Sequence, residues 1–154
     1  MDDETFLRRF EAGELSMAEW HHREHLRVAY LYLLRWPFDT ALAHMRAGLQ
    51  KLNATQGVPE SLARGYHETL TRGWLQLVHC ALAEHGPAES SDAFFEQHSH
   101  LQARRALLFF YSRERLMSAE AKAQFIEPDL APLPRSRRSF VPVFSHSRET
   151  NSAG

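Results

Sequence analysis

The hydrophobic positions of the chain repeat at helical spacing, and this pattern predicts an all-helical protein. In residues 3–12, Phe6, Leu7 and Phe10 fall on one face, and Gly13 provides a stop signal. The sequence therefore predicts a short amphipathic helix that ends at this glycine.

A second amphipathic segment carries two histidines on its hydrophobic side. Ser16 and Glu19 have the spacing of a capping box, which predicts a helix that starts there and runs until Pro37. At 100° per residue, a stripe roughly 100° wide collects His22, His25, Leu26, Ala29, Leu33 and Trp36. Both histidines are therefore expected to face the core from the first two turns.

The third predicted helix begins with Asp39 as its cap and ends near Gly57. Its hydrophobic residues step by three, four and three positions, which is the seam of a packed bundle helix, and they are Leu42, Met45, Leu49 and Leu52.

A fourth helix is predicted over residues 61–84, and it also carries a histidine on its hydrophobic face. Its apolar stripe contains Leu70, Trp74, Leu77, Val78 and Ala81. The pattern places His67 at the centre of this stripe, with Glu68 at its edge and Thr71 one turn further along.

The last third of the chain predicts shorter elements. A helical stretch is expected from Ser91 or Asp92 to about residue 117, and a short helix from Ser118 through Phe125. The pattern also allows a break of the longer stretch near Ser99. Prolines then exclude regular helix. We expect an all-α, single-domain bundle of four to five main helices over residues 1–127, followed by a proline-rich, partly irregular tail over residues 128–154.

Composition narrows the functional classes. The 154 residues carry 18 Lys and Arg against 19 Asp and Glu, so a nucleic-acid partner is not expected. Cys80 is the only cysteine, which excludes an internal disulfide and a thiolate-rich metal site within one chain. With an acidic N-terminus and no long apolar run, the expectation is a cytoplasmic protein without a membrane partner.

The histidines suggest a divalent metal ion. His22 and His25 are neighbours at i,i+3 on one helical face, and His21 is an alternative ligand one turn before His25. His67 and Glu68 would complete a set of three nitrogens and one oxygen, which suits zinc, iron, manganese or nickel. If consecutive helices pack antiparallel, the second and fourth helices run parallel, and their histidines meet at one end of the bundle.

Glu68 has two further interpretations. His67-Glu68-Thr69-Leu70-Thr71 resembles the first half of the metalloprotease His-Glu-x-x-His motif, with Thr71 in place of the second histidine. Glu68 would then be a catalytic general base beside a metal-bound water. In the structural alternative, His67 is a buried hydrogen-bond partner and Glu68 pairs with Arg64 or Arg72.

These features favour a small metalloprotein that acts on a small-molecule substrate, either as a metal-dependent hydrolase or lyase or as a non-haem iron oxygenase. Hydroxyl or cationic contacts to a small anionic ligand could come from Tyr66, Tyr32, Tyr111 and Arg105. The alternative is a non-catalytic helical binding module in which the histidines are structural. A homodimer that completes the site stays open.

Three segments carry a family resemblance. Two of them, Trp20-His21-His22-Arg23-Glu24-His25-Leu26 and Gly65-Tyr66-His67-Glu68-Thr69, form W-x-H-x-x-H-L and G-Y-H-E-T motifs, and the third is Glu127-Pro128-Asp129-Leu130-Ala131-Pro132-Leu133-Pro134. Together they resemble segments of a group of small uncharacterised bacterial helical proteins. The chain also has a weaker similarity to DinB-like helical bundles. That resemblance implies a histidine-rich metal site between helices.

Overall fold

The computed structural model describes residues 1–142, and these residues form an all-α bundle. The α-helices are α1 (Asp3–Ala12), α2 (His22–Arg35), α3 (Phe38–Thr55), α4 (Glu68–His85), α5 (Ser91–Gln97), α6 (Arg113–Leu116) and α7 (Ala119–Ala123). Two 3-10 turns, Ser99–Gln102 and Ala106–Phe109, lie between α5 and α6. The predicted fold class, with five main helices, is confirmed, and the described residues contain no β-strand.

The centre of the bundle is formed by α2, α3 and α4, each of which contacts the other two. The first helix packs on α2 and α3 and ends at Gly13, as predicted, because this glycine adopts the left-handed conformation at φ 73°. Within the described part of the chain, no helix is both long and apolar enough to cross a membrane.

The predicted start of α2 is wrong by five residues, because the N-cap is His21 and not Ser16. Ser16 and Glu19 do exchange the expected hydrogen bonds, but they close only an isolated turn. Trp20 leaves the helical path and stacks on Phe10 of α1, with 5.4 Å between ring centroids. The helix then begins at His22, where the Glu24 carboxylate accepts a hydrogen bond from the His21 backbone.

The two following helix starts also differ from expectation. The N-cap of α3 is Pro37, so Asp39 lies inside the first turn and is not the cap. The fourth helix begins at Glu68 and not at residue 61. Ser61 and Arg64 instead close a small turn through two backbone hydrogen bonds, and Gly65 at φ 92° cannot continue a helix.

The prediction of one long helical stretch to residue 117 is also wrong for the residues after α5. The chain breaks after Gln97, close to the expected position, but it continues as two 3-10 turns and a single turn of α-helix. Ser118 caps α7 by accepting a hydrogen bond from Ala121, as predicted.

The chain after α7 follows α4 along much of its length. The Thr69 hydroxyl donates to the backbone oxygen of Gln124 at 2.9 Å and accepts from the backbone nitrogen of Ile126 at 3.3 Å. Further along, Gln76 donates to the backbone oxygen of Pro134 at 3.2 Å. Leu133 is buried in the main core. The described part of the proline-rich tail is therefore packed on the bundle, whereas residues 143–154 lie outside the described range.

The buried Thr69 hydroxyl gives a direct test of this attachment. Thr69→Val keeps the shape but leaves the Gln124 carbonyl and the Ile126 amide without a partner. We expect the free energy of unfolding, measured with urea, to fall by about 1–3 kcal/mol. The exposed Thr40→Val in α3 is the matched control and should change it by less than about 0.5 kcal/mol. If the two substitutions lowered the free energy of unfolding equally, the Thr69 hydroxyl would not attach the chain after α7 to α4.

Candidate functional site

A cavity of about 440 Å³ opens where the first turn of α2 meets the start of α4. His22, His25 and His67, the three histidines predicted to share a site, all line it, and so does His21. The histidine cavity, as we call it, therefore brings the two histidine segments together at one end of the central helices.

His22 is half-buried in the first turn of α2 and packs against α4. Its ring centroid lies 4.3 Å from that of Trp74 in an edge-on arrangement. The Nε2 atom is buried and makes no hydrogen bond with a described residue. Burial, assisted by the positive charge of Arg104, lowers the pKa of His22 below its ordinary value. Its imidazole is therefore neutral near pH 7 and has an unused polar atom.

His25 lies one turn further along the same face. Its ring centroid is 4.6 Å from that of Trp20, and its Nδ1 atom is 3.3 Å from the backbone oxygen of His21. Burial lowers the pKa of His25 to about 4, and the neighbouring His22 adds to this shift. The cavity thus contains two uncharged imidazoles, each beside a tryptophan.

His67 is the N-cap of α4 and does not lie in the middle of its apolar face, so the predicted position is wrong. Its Nδ1 atom accepts a hydrogen bond from the backbone amide of Leu70 at 3.0 Å. The accepting role of Nδ1 assigns the proton to Nε2, which donates to the backbone oxygen of Leu116 at 2.9 Å. Both nitrogens of His67 are therefore used within the protein.

Glu68 faces a different part of the molecule. It lines a wider groove of about 1190 Å³ beside the histidine cavity, together with Lys122. Its carboxylate accepts two hydrogen bonds from Arg46, at 2.5 and 3.0 Å, and a third from the hydroxyl of Tyr66. Although burial opposes the shift, these donors hold the pKa of Glu68 below its ordinary value. Its partner is thus Arg46 of α3, and not Arg64 or Arg72.

The predicted ligand set of His22, His25, His67 and Glu68 is not assembled around one point in this conformation. His67 and Glu68 direct their donor atoms to other protein groups. Among residues 1–142, no group of three or more His, Cys, Asp or Glu side chains has the arrangement that a metal ion needs. The metal site and the catalytic role of Glu68 stay predictions.

The charge of the histidine cavity comes from arginines that the sequence pattern did not single out. Arg64 and Arg104 line the cavity, are exposed, and make no ion pair or side-chain hydrogen bond with another described residue. No aspartate or glutamate lines the cavity. One sequence feature could have identified Arg104 as an unpaired charge. No acidic residue lies three or four positions before or after it, so a local ion pair on a helix was not available. The cavity therefore combines the neutral imidazoles of His22 and His25 with two arginine side chains that have no acidic partner among the described residues.

The capping role of His67 can be tested by two substitutions. His67→Ala removes both hydrogen bonds and should lower the free energy of unfolding by about 1–3 kcal/mol. His67→Asn retains an N-cap acceptor and should restore about 1 kcal/mol of that loss. Both values can be measured by urea unfolding of the two variants. If asparagine is no better than alanine, the cap does not hold the start of α4.

The cavity and its charges are the basis on which a function can be inferred for this chain. The resemblances suggested by the W-x-H-x-x-H-L and G-Y-H-E-T motifs stay predictions, because no protein-family model, curated protein or solved structure matches the chain significantly.

Proposed function

We propose that the protein binds a small organic anion in the histidine cavity. The observation that carries this proposal is the lining itself, which contains two unpaired guanidinium groups and no carboxylate. Such a cavity has a positive potential, and its low-dielectric walls strengthen the attraction of an anion. A volume of about 440 Å³ falls in the range of metabolite sites.

Different lining residues would contact different parts of the ligand. Arg64 and Arg104 line the cavity and would pair with the anionic group. Each charge-assisted hydrogen bond contributes about 1.5–3 kcal/mol to the free energy of binding. Trp20 and Trp74 provide flat apolar walls, which favour a planar or aromatic ligand body. The unused Nε2 atom of His22 would fix the orientation of a polar ligand group.

The chemistry that the imidazole pair offers is proton transfer. His22 and His25 both have lowered pKa values and so stand ready as neutral bases. A neutral imidazole beside a bound anion can take a proton from it, which is the first step of general-base catalysis. Positive charge from the nearby arginines would stabilise the negative charge left on the ligand.

Binding of aromatic anions tests the proposal. Benzoate, indole-3-acetate and phenyl phosphate are titrated into the untagged protein, with calorimetry as the readout and tryptophan fluorescence as a second signal. We expect saturable binding of at least one of them. Arg104→Ala should weaken it about tenfold, the equivalent of one lost charge-assisted hydrogen bond.

Arg137→Ala provides the control for net charge, because this exposed arginine lies outside the cavity lining. It should leave the dissociation constant unchanged. The proposal is wrong if none of the three anions binds, or if the two arginine variants weaken binding equally.

A divalent metal ion is the second candidate ligand, and one observation favours it. The Nε2 atoms of His22 and His25 make no hydrogen bond with a described residue, although the residues are neighbours on one face of α2. Two free imidazole nitrogens one turn apart can converge on one ion. His67 would join them only by giving up its hydrogen bonds to Leu70 and Leu116.

Elemental analysis separates this candidate from the first. If the metal hypothesis is right, protein purified without a histidine tag contains about one equivalent of zinc, iron, manganese or nickel. His22→Ala should then lose that metal, while the exposed His44→Ala keeps it. Equal metal content in the two variants would rule out the histidine pair as the ligand.

A further inference from the structure

A second cavity joins the histidine cavity. It has a volume of about 570 Å³, and it shares Leu70 and Arg104 with the first. Because one arginine belongs to both linings, a molecule bound in the histidine cavity can extend into the second without leaving the protein surface.

The second cavity is lined by several basic side chains and no acidic one. Arg104, Arg105 and Arg113 line it, and all three are exposed and make no ion pair or side-chain hydrogen bond with another described residue. No aspartate or glutamate belongs to its lining. The three like charges repel one another, so the arrangement is stabilised by an anion that bridges them.

The break in the predicted long helix brings these arginines together. Arg104 and Arg105 lie between the two 3-10 turns, whereas Arg113 begins α6. The cavity lining also includes the buried side chains of Leu107 and Leu116. Apolar side chains in the lining lower the local dielectric, which strengthens charge-assisted hydrogen bonds.

We propose that the ligand of the histidine cavity carries a phosphoryl chain, and that the second cavity binds this chain. The inference rests on the proposed function and names its ligand class, a planar organic head with a terminal phosphate or diphosphate. Guanidinium groups pair with phosphate through two parallel hydrogen bonds, and three of them match the charge of a diphosphate. A simple carboxylate would need only one of the three.

The test uses two probes that represent the two parts of the ligand. Benzoate reports on the histidine cavity and inorganic pyrophosphate on the second cavity, each titrated by calorimetry at low salt. The double variant Arg105→Ala/Arg113→Ala should bind pyrophosphate at least tenfold more weakly and benzoate as well as the parent protein does. Arg104→Ala should weaken both probes, since its side chain lines both cavities.

The matched control is Arg135→Ala/Arg137→Ala, which removes the same charge from exposed positions outside both linings. It should leave both affinities unchanged. All the substituted side chains are exposed, so we expect every variant to fold. Thermal unfolding of each variant verifies this.

Each contrary result has a distinct meaning. If benzoate binds but pyrophosphate does not, or if pyrophosphate binds equally to the two double variants, the phosphoryl inference is wrong and the proposed function stands. If Arg104→Ala affects only one probe, the cavities do not form one site. If none of benzoate, indole-3-acetate and phenyl phosphate binds, the proposed function and the phosphoryl inference are both wrong.

A membrane surface is the alternative partner of the three arginines. Phe109 and Met117 are exposed near them, and apolar side chains beside basic ones are typical of surfaces that contact anionic lipid. Phosphatidylglycerol vesicles provide that arm of the test. Binding of the vesicles through Arg105 and Arg113, without binding of pyrophosphate, would assign the surface to lipid and overturn the inference.

Discussion

The imidazole of His67 is the constraint on which the site depends. Its Nδ1 atom caps α4 and its Nε2 atom donates to the backbone oxygen of Leu116, so one side chain joins the start of α4 to the end of α6. Because α4 begins immediately after it, Glu68 in the first turn points to Arg46 and away from the histidine cavity. The lining of the cavity consequently contains no carboxylate.

The two sides of the start of α4 therefore differ in electrostatics. On one side, Glu68, Arg46 and Tyr66 satisfy one another in a hydrogen-bonded cluster. On the other side, the imidazoles of His22 and His25 are neutral, and the charged side chains that line the cavity are Arg64 and Arg104. A cation at this position would meet unfavourable charge, whereas an anion would meet favourable charge. This contrast is why anion binding takes precedence over metal binding in the proposed function.

Much of the fold could be predicted from the sequence, because α1, α3 and the core face of α2 depend on local periodicity. The starts of the helices were harder to predict from the sequence. Ser16 and Glu19 make the expected local bonds, but the turn they close is isolated, Trp20 stacks on Phe10 of α1, and α2 begins only at His22. For the site, the sequence identified the histidines that share a cavity. It could not show that the Nε2 atom of His67 is used by Leu116, a partner 49 residues away.

The return of the chain along α4 has a consequence for how the protein is made. The groups that hold the beginning of α4, at Leu116 and at residues 124–126, are synthesised about fifty residues after it. During translation the first four helices can be complete while this end of α4 still lacks its long-range partners. Such distant contacts form late, since chain closure over long loops is slow. The histidine cavity is thus complete only after the C-terminal third of the chain has left the ribosome.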